Sequence, residues 1–108
     1  SVTGAAITSS TFNIATNAKT TSYTLVASDT DKLVTLNSAS GVTLTVPSAV
    51  FSAGNVINIQ QIGAGQVTVA GDGTSTVSGT GTKLRTQYSA ASIVCTGTNT
   101  FTLIGDIQ

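Results

Sequence analysis

The chain reads as an all-β domain, a small antiparallel β-sandwich or barrel with an extended N-terminal arm. Three observations predict this. Apolar residues alternate with Thr, Asn or Gln through residues 43–47 and 54–69, the period of a strand with one face in a core and the other in water. Gly or Asx turns separate such runs at about ten-residue spacing, as in sandwiches and barrels. Thr and Val, which are β-branched and suit a pleated surface, are among the dominant residues, and no stretch has a helical period.

The elements follow in order. Residues 1–20 are small and polar with scattered Val2, Ile7, Phe12 and Ile14, and read as an arm. Residues 21–108 read as one β domain. Tyr23, Thr24, Leu25 and Val26 open it, and a turn follows over residues 27–31, where Asp can bond its own backbone. A strand over residues 32–36 precedes a turn over 37–41. Val42, Leu44 and Val46 then share a face, and Pro47 closes that strand because it cannot donate to a ladder. Val50 and Phe51, in the long connection to Asn55, are placed to plug one end of the core. Ile57 and Ile59 face inward, and Gly63-Ala64-Gly65 is a hairpin candidate leading to Val67 and Val69. Leu84 and Tyr88 anchor a polar segment, Ile93 and Cys95 alternate in the next strand, and Gly97-Thr98-Asn99 turns into residues 100–106. No internal repeat is visible.

Composition narrows the function classes. The 108 residues suit one domain, and a hydrophobic fraction of 40% suffices for a core. Charged residues make up only 7%, with no net charge, against ~25% in ordinary soluble domains. Lys19, Lys32, Lys83 and Arg85 form no basic patch, which disfavours nucleic acid as a partner. Low charge leaves little repulsion between copies, which suits life in an assembly. No transmembrane helix, signal peptide or lipidation motif is visible, so no membrane partner is expected. The initial Ser resembles a residue exposed by removal of an initiator Met, and suggests a protein made inside the cell.

Chemistry-bearing residues are few. There is no His and no Glu, and Cys95 is alone in an apolar strand, which reads as a small buried hydrophobe. Asp29 and Asp31 could share a hard cation or simply form an Asx turn; the sequence lacks the further acids of an EF-hand. Asp72 between two glycines reads as a turn residue, and Asp106 as a backbone partner at the end of the last strand. Ser and Cys95 have no His base, and no phosphate loop or metal cluster is present. The chain is therefore expected to be no enzyme and to need no cofactor. Tyr88 with Arg85 and Gln87 is the best glycan-contact candidate, the alternative being a Tyr that caps the core with its hydroxyl in water.

Tyr23-Thr24-Leu25, Asp29, Val34, residues 42–47, Gly54, residues 57–69 and Phe101-Thr102-Leu103-Ile104-Gly105-Asp106 resemble a small β domain of tailed-bacteriophage virion proteins. Such domains occur in capsid decoration (cement) proteins, head fibres and tail fibres. The resemblance spans about Tyr23 to Asp106; the closing aromatic, commonly Trp in that pattern, is Phe101 here. It implies a structural role in the virion and frequent homotrimers. The expectation is thus a decoration protein on the capsid surface, made in the bacterial host cytoplasm, that bridges capsomers by contacting the major capsid protein. Phe12 and Ile14 in the arm are the expected partner contacts. The alternative is a head- or tail-fibre domain that binds host surface glycans through Arg85, Gln87 and Tyr88.

Overall fold

The computed structural model describes residues 14–108. They form nine strands: β1 (Thr16–Lys19), β2 (Tyr23–Thr24), β3 (Leu33–Leu36), β4 (Val42–Val46), β5 (Val56–Gln61), β6 (Val67–Gly71), β7 (Thr76–Ser78), β8 (Ala90–Gly97) and β9 (Thr100–Gly105). A six-stranded sheet has the order β1-β3-β5-β8-β9-β7, and a three-stranded sheet the order β2-β4-β6. The all-β class therefore holds. Thr16–Lys19, read from sequence as part of the arm, is a strand of the large sheet, whereas Phe12 lies outside the described residues.

The strand direction is the main correction. An antiparallel sandwich or barrel is expected from the sequence, yet β1 with β3, β3 with β5, β2 with β4, β4 with β6 and β7 with β9 all pair parallel. Only β5 with β8 and β8 with β9 run antiparallel. The chain alternates between sheets: β1, β3 and β5 enter the large one, β2, β4 and β6 the small one. From β1 to β4, each strand bonds to the strand two later. The result is a stack of three coils, solenoid-like, followed by an antiparallel β8–β9 hairpin that extends the large sheet. A turn of a few residues can reverse a chain within one sheet or carry it across the core to another, and the period of two is the same in both cases.

The same logic explains the unseen repeat. Thr16 pairs with Leu33 across a short coil, but Leu33 pairs with Asn58 across a longer one. Repeats of unequal length share no sequence period, although they stack in register.

Alternation decides what lies between the sheets. Val34, Leu36, Ile57, Ile59, Ile93, Cys95, Phe101 and Leu103 face inward from the large sheet, and Val42, Leu44, Val46, Val67 and Val69 from the small one. Phe51 plugs the core as expected and meets Phe101 edge-to-face, while Val50 beside it is exposed. Leu84 is fully buried: Leu84 N–H donates to the Val67 carbonyl and Val69 N–H to the Thr82 carbonyl, so residues 82–84 border β6.

The corners stack as closely as the strands. Gly63-Ala64-Gly65 is no hairpin but the passage from β5 to β6, and it lies directly on the β3-to-β4 corner. A Cβ on Gly63 would strike the Ser38 backbone, and one on Gly65 the Ser40 backbone. Gln61, inside the core, braces this passage: its Nε2 donates to the Gly63 carbonyl at 3.1 Å and its Oε1 accepts from Val67 N–H at 3.0 Å.

Gly65→Ala should lower unfolding stability by roughly 1–3 kcal/mol in urea melts, the range for overpacking a rigid site. Gly97→Ala, where the nearest atom to a new Cβ is the Thr100 side chain at 4.0 Å, should change it by under about 0.5 kcal/mol. Equal effects at both sites would refute the stacked-corner account.

Candidate functional site

Three of the four aspartates hold the stack together. Asp29 ends a single 3₁₀ turn at Ala27–Asp29 and is fully buried. Its Oδ1 accepts from Asn17 Nδ2 at 2.8 Å, and its Oδ2 from the Tyr23 hydroxyl at 2.7 Å and Val26 N–H at 2.9 Å. Asn17 shares an inward row with Val34 and Ile59. Among the described residues the first coil thus ends the apolar core with a polar network, and Lys19 completes it with its ammonium 4.6 Å from the Tyr23 ring centre. Burial pushes the Asp29 carboxyl up, but hydrogen bonds from Val26, Tyr23 and Asn17 outweigh it and the net shift is downward. Burial, then the neighbouring carboxylate, raises the Tyr23 phenol.

Asp72 ties the end of β6 to the segment after β4. Its carboxylate accepts from the amides of Ser48, Thr74 and Ser75 and from the Ser48 hydroxyl. The amides, led by Ser75, hold its carboxyl far below the usual carboxylate range. Asp106 receives a two-pronged ion pair, Arg85 Nε to Oδ1 at 2.6 Å and Nη2 to Oδ2 at 2.9 Å, and the Ser89 hydroxyl at 2.7 Å. Arg85 chiefly lowers the Asp106 carboxyl, and Asp106 raises the Arg85 guanidinium. Asp106 is thus bonded mainly by side chains, where sequence suggests backbone. Asp31 is exposed and in the left-handed region at φ 63°, and Asp29 turns its carboxylate into the network. The described residues contain no cluster of three or more His, Cys, Asp or Glu.

The glycan-contact candidates share a loop but not a common face of free polar groups. Arg85 is held by Asp106, and Gln87 Nε2 donates to the Ile62 carbonyl at 3.0 Å. Tyr88 differs from the core anchor expected, being 63% exposed. It sits at φ 71°, which is costly for a bulky residue. Its N–H donates to the Gln61 carbonyl at 2.6 Å and its carbonyl accepts from Gln60 Nε2 at 3.1 Å. Two bonds to β5 therefore hold the ring outward. Tyr23, the other tyrosine, is packed against the core in the first coil instead.

A second surface emerges only in three dimensions. Thr16, Leu33, Asn58, Ser92 and Ile104 form one outward row across the large sheet, and Val56, Val94, Thr102 and Ser78 another. Ala18, Thr35, Gln60 and Ala90 form a third. None carries a charge. Ile104 is 58% exposed and lines an open groove of about 450 Å³ with Ser78, Thr80, Thr102 and Ile107. Ile14, the partner-contact candidate among the described residues, is also exposed, two residues before Thr16. A sequence signal for this face exists. In Leu33-Val34, Val56-Ile57, Val94-Cys95 and Leu103-Ile104 two apolar residues adjoin in a strand, so one of each pair must face outward.

Comparison with known proteins gives no matching family model, no matching curated protein and no matching solved structure.

Asp29→Ala, which leaves the Tyr23 hydroxyl and Asn17 amide without their acceptor, should cost about 3 kcal/mol in a denaturant melt. Carboxyls with depressed folded pKa values stabilise above their unfolded pKa and lose that contribution as pH falls. With Asp29, Asp72 and Asp106 all depressed and no His in the chain, the melting temperature should stay level from about pH 8 to 5 and fall below about pH 4. A decline between pH 7 and 5 would contradict this assignment.

Proposed function

We propose that this chain is a structural component of a tailed-bacteriophage virion, a capsid decoration protein that stabilises the head by bridging capsomers. In this reading it works as a homotrimer on the capsid surface, contacts the major capsid protein and catalyses nothing. The observation that carries the reading is where the phage-like residues fall. Gly63-Ala64-Gly65 is the stacked corner, Pro47 terminates β4, Phe101 meets Phe51 in the core, and Gly105-Asp106 ends β9 at the Arg85 clamp. The resemblance thus rests on the joints of the stack, as suits a protein whose work is mechanical. Among the described residues no buried side-chain nitrogen or oxygen lacks a hydrogen-bond partner. The engagement of Asp29, Asp72 and Asp106 in internal bonds supports a role without acid–base chemistry.

The exposed ring of Tyr88 favours a second reading, a head- or tail-fibre domain that stacks host glycans on it. Arg85 and Gln87 contribute less to that reading, since each is bonded within the chain.

The test is co-sedimentation with phage heads from which decoration protein has been stripped. Saturable binding that raises the temperature at which the heads release DNA is expected. Deleting residues 1–13, which leaves every described strand intact, should abolish binding while preserving the far-UV spectrum. A folded protein that ignores heads, yet binds a glycan and loses that binding with Tyr88→Ala, would replace this reading with the fibre one.

A further inference from the structure

We propose that the outer face of the six-stranded sheet is the surface through which copies of this chain associate, with Leu33, Val56, Val94 and Ile104 at its centre. The assignment rests on the assembly role proposed above and adds to it a two-fold contact that joins copies beside the three-fold one. Val56 and Val94 are directly paired across β5 and β8. Leu33 adjoins them through β3, and Ile104 through β9. The apolar band so formed crosses the sheet and runs into the groove beside Ile104.

Charge argues for a second copy as the occupant. Two like-charged faces repel, whereas the three rows of this face carry no charge, and exposed Asp31, whose N–H donates to the Val56 carbonyl, is a charge at their border. Asp29, Asp72, Arg85 and Asp106 are tied into corners and ends, and Lys19 lies on the inward side of β1 over Tyr23. A phosphate-bearing partner would find no cation on these rows. The three rows place Thr, Ser, Asn and Gln around Val56 and Val94, and the Ser92 hydroxyl bonds Asn58 Oδ1 at 2.7 Å. Such a rim can hydrogen-bond across an interface whose centre is apolar.

Area agrees. Six strands at ~4.8 Å spacing, each about five residues long at ~3.3 Å, present roughly 500 Å². Two such faces bury on the order of 1,000 Å², the lower bound for a specific contact. Tyr88 stands at the margin, held outward through Gln60, which belongs to the third row.

Sedimentation equilibrium of the full chain tests the assignment. Wild type should self-associate. Val94→Lys and Ile104→Lys, which put a cation on an outward position, should each weaken association more than about tenfold, because like charges would be buried together. Thr43→Lys, on the outer face of the small sheet, should leave it unchanged. Circular dichroism checks that each variant folds. Should a lysine variant fail to fold, a spin label on Ser92→Cys reads the same contact, with dipolar broadening expected from a second label across the face. A wild type that stays monomeric, folded lysine variants that associate normally, or a label without broadening overturns the proposal. Head binding is read separately. If wild type associates through this face but ignores phage heads, the virion reading fails and the face assignment stands.

Discussion

Parallel registry between successive coils is the constraint on which the structure depends. Each strand of the stack finds its hydrogen-bond partner one coil later, so every corner must bring the chain back at the same height. Gly63 and Gly65 make this possible where the β5-to-β6 corner rests on Ser38 and Ser40. The Gln61 amide then joins the two strands across that corner. The inward rows follow from the registry: Val34 stacks on Ile59, Val42 on Val67 and Leu44 on Val69. Slippage by one residue would turn each of these side chains into water.

Among the described residues the stack has two ends, and they are finished differently. At β1 and β2 the apolar rows give way to Asn17, Lys19 and Tyr23, gathered around the buried Asp29 carboxylate. A buried anion is tolerable only when fully hydrogen-bonded, and three donors meet it. At the other end the chain leaves the coil pattern. β8 and β9 extend the large sheet as an antiparallel pair, and Leu84 and Ile107 meet in a bridge pair between the last segments. The Arg85–Asp106 pair fastens those segments from outside, where water screens it and its main effect is positional.

These choices leave the two outer surfaces unlike. The small sheet turns Thr24, Thr43, Thr45 and Thr68 outward. The large sheet turns out its apolar band and the groove at Ile104.

The all-β class, the inward residues of β3 to β6 and the burial of Cys95 were legible from the sequence, because alternation at a period of two reports which side chains share a face. Turn chemistry located the reversals at residues 37–41 and 97–99 for the same local reason. The candidate site was legible only in part. Arg85, Gln87 and Tyr88 do share a loop, but their bonding to Asp106, Ile62 and β5 depends on segments distant in the chain. Strand direction, the stacked coils and the uncharged outer face were decided by tertiary structure alone. A short turn is compatible with a hairpin or with a crossing between sheets, and only the packing of one corner on another chooses. By itself, then, the sequence determined that this chain alternates, turns and buries one face of each strand. The fold determined which strands meet, because parallel partners are brought together by coils of unequal length that leave no period to read.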